Sequence, residues 1–446
     1  MHVRTDIWNQ FGDNPAGSGF RAVQTSGSMR IEWQCALPTS PGTSSPVIGP
    51  NGTIYIGTVN GWLLAIDPEA GNLKWTVQIA AYHYVVQTPA VADDGIVYCL
   101  CTSTVTDHRT PDVRGVPSFV ISVLPNGVIR WRTPTQALGD MEGTVNGHLF
   151  GAPRILSGPR GSARVIFVVR YELVVSYEQA GLSPESRGPL FVRVLAIVDE
   201  NGTFLLSKRY EERILFVEAH GGGGLVTPAH IADPPPEVQP CADTPVVFGS
   251  LPAREPWTII TPGDKGLYQI RWDAQASTPV GVPKLFALPR EAFPGPVAFP
   301  NGLLVGLARP DVIFIDTNTF TQYLPEATKL GERATVAGGL RHMYFVLHAG
   351  ALFAVDSNGA VWHRFVLQGK SVAFPALSAS HIHVVTTRVF RKFSLDLQWN
   401  ASNNLLFRSP HSGLSSPAIG PSAEVYVVGG PDFATAPSLY RFTGER

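Results

Sequence analysis

One stretch near the start of the chain, Ser44 to Val77, most constrains what the sequence can fold into. It holds four short β-forming runs, separated by Asn51-Gly52, by Asn60-Gly61 and by the loop Asp67 to Gly71. Asn-Gly pairs favour two-residue hairpin turns, and glycine supplies the positive φ that a tight turn needs. The stretch therefore predicts four antiparallel strands, which is the content of one β-propeller blade.

The same pattern recurs along the chain. Each copy opens at a proline, or in one case a threonine; these opening positions are 46, 89, 153, 245, 296, 335, 375 and 417. The shortest intervals between them, 39 to 43 residues, match the roughly 40 to 50 residues of a four-stranded blade. The longer intervals predict insertions at 103–117 and 172–189 and an irregular connector at 211–242.

We therefore predict a single domain over residues 1–446. Its blades begin near residues 44, 87, 150, 243, 294, 333, 372 and 414. The last copy holds only three strands, whereas residues 28–37 form a strand with no blade before it. Pairing this strand with the last copy would remove an exposed sheet edge. The sequence thus predicts an all-β, eight-bladed propeller of four-stranded antiparallel blades, with the N-terminal strand closing the last blade; seven blades is the competing count.

Composition narrows the classes of partner. Charged residues make up 15% of the chain and hydrophobic residues 44%, which favours a folded body over disorder. The net charge of −1 offers no electrostatic basis for binding nucleic acid. No apolar run reaches the ~18 residues of a membrane-spanning helix, and the first residues lack the apolar core of a signal peptide. We expect a soluble protein, cytoplasmic as the chain stands, or periplasmic or secreted if a signal peptide has been removed.

The cysteines do not suggest a disulfide framework. The chain has four, Cys35, Cys99, Cys101 and Cys241. Cys99 and Cys101 lie two apart in one predicted strand and so point to the same side. We interpret all four as buried thiols.

Residues Ala65 to Trp75 resemble the tryptophan-docking repeat of the PQQ-like (quinoprotein alcohol dehydrogenase-like) β-propeller superfamily, which runs Ala-x-Asp-x-x-x-Gly-x-x-x-Trp. Weaker copies lie at 123–131 and 354–362, and a copy at 197–202 lacks its tryptophan. The resemblance implies a WD-like repeat architecture in which Trp33, Trp75, Trp131 and Trp362 dock between neighbouring blades. A flat indole suits that place because its large apolar face buries well.

Members of this superfamily that are quinoprotein dehydrogenases bind PQQ with calcium. They usually carry a vicinal cysteine pair and a catalytic Asp beside acidic and amide calcium ligands. This sequence has no adjacent cysteines and no acidic cluster suited to a hard cation. We therefore expect no cofactor, no metal site and no PQQ-dependent dehydrogenase activity. Other members are assembly scaffolds, similar to the propeller lipoprotein of outer-membrane protein assembly, although this chain has no lipobox.

The loops that lead into the first strand of each blade open on one face of a propeller, around its channel. Here they bring polar residues to one rim: Tyr82, His83, Tyr84, Gln87, Glu142, His148, Glu291, Lys370 and His411. A histidine beside two phenols can move protons near neutral pH, so Tyr82, His83 and Tyr84, with His148, are the candidate catalytic residues. The candidate ligand-binding residues are Gln87, Glu142, Lys370 and His411. The alternative is that these rings pack the channel mouth and hydrogen-bond locally.

A second histidine group, His381 and His383, lies at alternate positions of a predicted strand, so both rings share a face. Such a pair can bind a metal, but no third ligand is near in sequence. We favour a non-catalytic binding or scaffold module that holds an unknown protein or small-molecule ligand at the rim. The alternative is an enzyme with lyase or cyclase acid–base chemistry at the channel mouth. The first is preferred because no nucleophile–base pair or metal triad is visible.

Overall fold

A computed structural model provides the structure. It describes these residues: 8–10, 13, 19–80, 84–103, 118–135, 147–149, 151–157, 162–176, 187–214, 244–248, 256–263, 266–273, 275, 277–287, 297–299, 302–306, 312–316, 322–323, 334–337, 343–348, 351–356, 361–367, 373–395, 399–406, 415–430 and 437–444. Over these ranges every regular element is a β-strand. Among them there is no helix long and apolar enough to cross a membrane.

The first half of the described chain forms four antiparallel sheets, which we number in chain order. Sheet 1 contains β2 (Val47–Ile48), β3 (Ile54–Gly57), β4 (Trp62–Ile66) and β5 (Leu73–Gln78). Sheet 2 contains β6 (Tyr84–Val86), β7 (Ala90–Val91), β8 (Val97–Ser103), β9 (Phe119–Val123) and β10 (Ile129–Pro134). Sheet 3 contains β11 (Gly147–His148), β12 (Arg154–Ser157), β13 (Ala163–Ser176), β14 (Arg187–Asp199) and β15 (Phe204–Ile214). Sheet 4 contains β16 (Val246–Phe248), β17 (Trp257–Gly263), β18 (Gly266–Asp273), β19 (Thr278–Pro279) and β20 (Lys284–Ala287).

Four further sheets follow, each with four strands. Sheet 5 contains β21 (Val297–Phe299), β22 (Gly302–Gly306), β23 (Val312–Asp316) and β24 (Gln322–Tyr323). Sheet 6 contains β25 (Ala334–Ala337), β26 (Met343–His348), β27 (Ala351–Asp356) and β28 (Val361–Val366). Sheet 7 contains β29 (Ala376–Leu377), β30 (His381–Val385), β31 (Val389–Ser394) and β32 (Trp399–Leu406). Sheet 8 contains β33 (Ala418–Ile419), β34 (Val425–Gly429), β35 (Ser438–Gly444) and the first strand of the chain, β1 (Met29–Ala36).

We call the first strand of sheets 1 to 7, and β33 in sheet 8, the inner strand of the sheet.

Three sheets have five strands because one strand of each is broken. In sheet 2 both β6 and β7 pair with β8, and in sheet 3 both β11 and β12 pair with β13. These breaks contain Pro89 and Pro153, which have no N–H to donate to a ladder. In sheet 4 the broken strand is the last one, since β19 and β20 both pair with β18 around Gly281 and Pro283.

Side-chain alternation packs the sheets face to face. Ile54 and Ile56 of β3 lie in a buried cluster with residues of sheets 7 and 8, whereas Tyr55 lies in a cluster with residues of sheet 2. Successive side chains of a strand point to opposite faces, so one strand serves two neighbours. Similar clusters join sheets 2 and 3, sheets 3 and 4, and sheets 6 and 7. The described residues therefore form the stacked antiparallel sheets of a β-propeller.

Hydrogen bonds at the start of the inner strands tie neighbouring sheets together. The Ser416 N–H donates to Ser45 Oγ at 2.9 Å, and the Ser45 N–H donates to Thr88 Oγ1 at 2.9 Å. Two further junctions have the same bond, at 2.8 Å: Phe374 N–H to Ser416 Oγ and Ala152 N–H to Thr244 Oγ1. Each donor or acceptor directly precedes the inner-strand proline. A buried N–H with no partner would be costly, so these hydroxyls fix the spacing of the sheets.

Three of the predicted docking tryptophans make the same contacts with the next sheet. The indole Nε1–H donates to a turn carbonyl: Trp33 to Pro68 O at 2.9 Å, Trp75 to Pro125 O at 2.9 Å and Trp131 to Glu200 O at 2.8 Å. Each ring lies over a glycine with positive φ in that turn: Gly71, Gly127 and Gly202. Each is also near a tyrosine of its own sheet: Tyr426, Tyr55 and Tyr98. These three tryptophans therefore dock through a hydrogen bond as well as through packing. The side chain of Trp362 lies outside the described residues.

The first strand pairs antiparallel with the last. The β1–β35 register runs from Met29 opposite Gly444 to Ala36 opposite Ser438, with an irregularity between Ile31 and Trp33. Trp33 also has the same relation to Tyr426 as Trp75 has to Tyr55, with ring centroids 6.0 and 5.7 Å apart. The N-terminal strand therefore takes the last position of sheet 8.

Sheet 3 departs from the prediction. We expected an insertion at 172–189, but β13 continues to Ser176 and β14 begins at Arg187, with these two residues opposite each other. Likewise β15 extends to Ile214, into the connector that was predicted to start at 211; residues 215–243 lie outside the described chain. Charged residues such as Glu172 and Glu211 hid the strand pattern, because glutamate is depleted in strands and interrupts the apolar alternation.

We predict that Gly71→Ala lowers the free energy of unfolding by about 2 to 3 kcal/mol. Gly71 has φ +69, and an added Cβ would lie 2.6 Å from the Trp33 ring. The matched control is Gly281→Ala, where φ is +78 but no atom lies within 4 Å of the added Cβ. Denaturant unfolding should show that the control loses only about 1 kcal/mol. Equal losses at the two sites would contradict the docking contact.

Candidate functional site

The N-terminal segment lies along the inner strands. Three consecutive residues each accept a hydrogen bond from a different sheet: Ile48 N–H to Trp8 O at 2.7 Å, Val91 N–H to Asn9 O at 2.7 Å, and Ile155 N–H to Gln10 Oε1 at 3.1 Å. The side chains of Asn9 and Gln10 also donate to Val91 O and Ile155 O, at 2.9 and 3.4 Å. Trp8 is buried against sheets 1 and 8. One short run of chain thus caps inner-strand peptide groups of sheets 1, 2 and 3.

The same kind of contact occurs at sheet 7. The Leu377 N–H donates to Gly19 O, and the Arg21 N–H donates to Leu377 O, both at 2.8 Å. Leu377 is two residues after its inner-strand proline, as are the donors in sheets 1, 2 and 3. Structurally equivalent peptide groups in four sheets therefore face the N-terminal segment and not another strand.

The contacts in sheets 1, 2 and 7 lie at the end of the inner strand. Ile48, Val91 and Leu377 are the last residues of β2, β7 and β29. The residues that bond sheet to sheet, such as Ser45 and Thr88, precede β2 and β7. In sheets 1 and 2 the sheet-to-sheet bonds and the contacts of the N-terminal segment are thus at opposite ends of these strands.

A buried ion pair lies within the N-terminal segment. Arg21 Nη1 is 3.6 Å from Asp13 Oδ1, and the two side chains are 3% and 9% exposed. Ions that leave water this completely need a partner, because desolvation costs several kcal/mol per ion. The pair links the part of the segment at sheet 3 to the part at sheet 7.

A cluster of hydroxyl, imidazole and ammonium groups joins this segment to sheet 7. Thr25 Oγ1 lies 2.9 Å from Ser378 Oγ, 3.0 Å from His381 Nδ1 and 3.3 Å from His383 Nε2. Lys392 lies directly opposite His383 in the β30–β31 register, and its Nζ donates to the carbonyls of Ser26 and Gly27. The two histidines do share a face, and the cation Lys392 lies beside them. The described residues contain no group of three or more His, Cys, Asp or Glu side chains placed to hold a metal.

Burial controls the charge of this cluster. Desolvation, reinforced by Lys392, lowers the pKa of His381 to about 4 and that of His383 well below its usual value. Desolvation also lowers the pKa of Lys392 to about 8. Both imidazoles are therefore neutral at neutral pH, and the lysine carries the charge.

The predicted rim residues are only partly within the described chain. Tyr82, His83, Glu142, Glu291, Lys370 and His411 lie outside it and stay predictions. Tyr84 begins β6, opposite Ser103, and Gln87 is 2% exposed, with its N–H donating to Leu100 O at 3.0 Å. His148 is half-buried in β11, opposite Arg170. The structure thus places Tyr84, Gln87 and His148 on the broken inner strands of two neighbouring sheets.

Sequence reasoning missed Asn9, Gln10, Thr25 and Lys392 as structurally important polar residues. Lys392 had a local signal, since it interrupts the apolar run VFRKF of β31. The other three had none, because their partners lie between 82 and 358 positions away along the chain.

A calcium-bound quinone does not fit the residues that the structure describes. Among the described acidic and amide groups near the inner strands, Asn9, Gln10 and Asp13 bind backbone groups or Arg21. Cys99 and Cys101 are fully buried between sheets 1 and 2, as free thiols. We therefore derive no step through such a group.

We predict that Cys99 and Cys101 react with iodoacetamide only as fast as the protein unfolds. Burial raises the pKa of both thiols, so little thiolate forms at pH 8. Peptide mass spectrometry of the native protein at pH 8 should find them unmodified, and modified after denaturation. Rapid labelling in the native state would contradict the packing of sheets 1 and 2.

No protein-family model matches the chain, and no curated protein matches it. Solved structures do. A europium-containing methanol dehydrogenase is 12% identical, with 99% of this chain and 98% of that chain covered and a TM-score of 0.50. The quinohemoprotein alcohol dehydrogenase ADHIIG from Pseudomonas putida HK5 is 11% identical (98% and 80% covered, TM-score 0.46), and BamB from Moraxella catarrhalis is 13% identical (84% and 98%, TM-score 0.41). At these identities the likeness concerns the fold alone, and the chain has the fold of the PQQ-like β-propellers.

Proposed function

We propose that this chain is a non-catalytic binding propeller that holds a partner or small-molecule ligand at one end of its channel. The observation that carries the proposal is the N-terminal segment, which bonds to equivalent peptide groups of sheets 1, 2, 3 and 7 at the other end. A channel covered at one end by its own chain offers a ligand the opposite mouth. The proposal assigns to that mouth the residues predicted from the sequence, Tyr82, His83, Glu142, Lys370 and His411, which lie outside the described chain.

The proposal includes eight blades in one ring, closed by β1. Several contacts between sheets 8 and 1 support the closure. Ser416 bonds to Ser45, and Pro68 O accepts both the Trp33 indole N–H and Arg441 Nη1, the latter at 2.7 Å. A buried cluster also contains residues of both sheets. A ring with no free edge at this join suits a rigid binding platform.

The described polar groups favour binding over catalysis, because they already make contacts within the chain. A nucleophilic hydroxyl needs a base within reach and a route for substrate. The hydroxyl–imidazole contacts that the structure describes are those of Thr25, which is 4% exposed, with His381 and His383, and that of Ser380 with His381. They lie under the N-terminal segment, beside Lys392, where they fasten one part of the chain to another.

The long hairpin of sheet 3 supports a partner site at the same mouth. Because β13 runs antiparallel to the inner strand β12, its last residues lie at the end where the loops enter. There the β13–β14 pairing continues to Ser176 opposite Arg187. Strands of this length extend past the inner strand and provide a surface beside the channel for a partner to bind.

The closure predicts equal effects of Trp33→Phe and Trp75→Phe. Each change removes an indole N–H that donates at 2.9 Å to a turn carbonyl of the next sheet. Each should lower the free energy of unfolding by about 1 to 2 kcal/mol, measured by denaturant unfolding. A negligible effect of Trp33→Phe beside a normal effect of Trp75→Phe would mean that the ring is open between sheets 8 and 1.

A ligand screen tests the proposed function. Thermal-shift measurements against sugars, quinones and small carboxylic acids should identify a compound that raises the melting temperature. His83→Ala and Tyr84→Phe should weaken its binding by about tenfold or more, and His363→Ala, in the last strand of sheet 6, should not. No product should form during incubation with wild-type protein. Product formation that is lost with His83→Ala would instead support the lyase or cyclase alternative.

A further inference from the structure

The N-terminal segment is held to sheet 7 by groups whose charge depends on pH. We name the described residues Trp8–Gln10, Asp13 and Gly19–Gly27 the N-terminal latch. We infer that acid releases this latch from sheet 7 and uncovers the inner-strand peptide groups that it caps. The inference concerns a conformational device, and it does not depend on which ligand the opposite mouth binds.

The hydrogen bonding of His383 suits the neutral ring and not the protonated one. Its Nε2 lies 3.3 Å from Thr25 Oγ1, whereas its Nδ1 is buried and has no hydrogen-bond partner among the described residues. A neutral ring can carry its proton on Nε2, donate to Thr25 and leave Nδ1 bare. The protonated ring has an N–H at both positions, so Nδ1–H would be buried without an acceptor. Such an unmet donor is costly.

The charge of Lys392 also opposes protonation of His383. Lys392 lies directly across from His383 on β31, and like charges in directly opposed positions destabilise a sheet. The groups that face the cluster are His381 and His383 from β30, Lys392 from β31, and the hydroxyls of Thr25, Ser378 and Ser380. Arg391 lies on the other face, over the Phe365 ring. No described carboxylate pairs with Lys392, whose Nζ bonds to latch carbonyls.

The cluster lies where the latch is attached to sheet 7. Thr25, Ser26 and Gly27 are latch residues, so the groups that protonation disturbs are those that hold the latch. His383 is fully buried, with its ring nearly parallel to that of Phe390 and the ring centroids 6.1 Å apart. Detachment of the latch lets water reach both imidazoles.

The sign of the pH dependence follows from the direction of the shifts. The folded pKa of each histidine is below its usual value, so their contribution is complete above pH ~6.5 and is lost as the pH falls. For His381 the loss continues to about pH 4. The lowered pKa of Lys392 acts above pH 8 and does not oppose this. Between pH 7.5 and 5.0, one histidine alone raises the opening equilibrium by about 30-fold.

Hydrogen exchange of the full chain at pH 7.5 and 5.0 tests the inference. After correction for intrinsic rates, amides of Gly19–Gly27 should lose about 30-fold or more in protection at pH 5.0. The amides of Val91 and Leu377, which donate to the latch, should lose protection with them. Amides of β3 and β4 in sheet 1 should keep theirs. Unchanged latch protection, or equal loss in β3 and β4, would overturn the inference.

Variants separate the histidines from other acid effects. The double variant His381→Gln/His383→Gln should change latch protection by less than about threefold between the two pH values. His363→Gln, in sheet 6, is the matched control and should keep the wild-type response. Lys392→Met should loosen the latch at both pH values, because the bonds to Ser26 and Gly27 are lost. An acid response in the double variant equal to that of the wild type would also overturn the inference, and the wild-type comparison decides the matter even if a variant does not fold.

Discussion

A sheet that packs between two other sheets must be apolar on both faces, and this constraint explains most of the molecule. Residues of β3 alternate between two buried clusters, one shared with sheet 8 and one with sheet 2. Such a sheet has room for few charged residues, which fits a charged fraction of only 15%. Those that are buried within it, such as Lys392, bond to backbone carbonyls.

Polar contacts then set how neighbouring sheets meet. Hydroxyls before the inner-strand prolines act at the inner margin, and indoles act at the outer margin. Hydrophobic burial alone is not directional, whereas these hydrogen bonds define the position of one sheet relative to the next. The repeated sequence motifs therefore specify how the sheets are positioned. They indicate the fold but do not identify a ligand.

Local patterns made much of the fold predictable. The Asn-Gly turns and the tryptophan spacing indicated the strands, and the alternation of His381 and His383 correctly indicated that their rings share a face. The sequence did not reveal the contacts of Asn9, Gln10 and Thr25, since their partners are far along the chain. The sequence also concealed the full length of two strands of sheet 3, because charged residues interrupt the apolar pattern where β13 continues to Ser176 and β14 begins at Arg187.

The pairing of β1 with β35 has a consequence for biosynthesis. The strand β1 finds its partner β35 only when Ser438 to Gly444 have been synthesised. Until then Trp33 and its neighbours in β1 have no strand to pair with along that edge. Sheet 8 is therefore completed late in synthesis, because two of its neighbouring strands lie far apart along the chain.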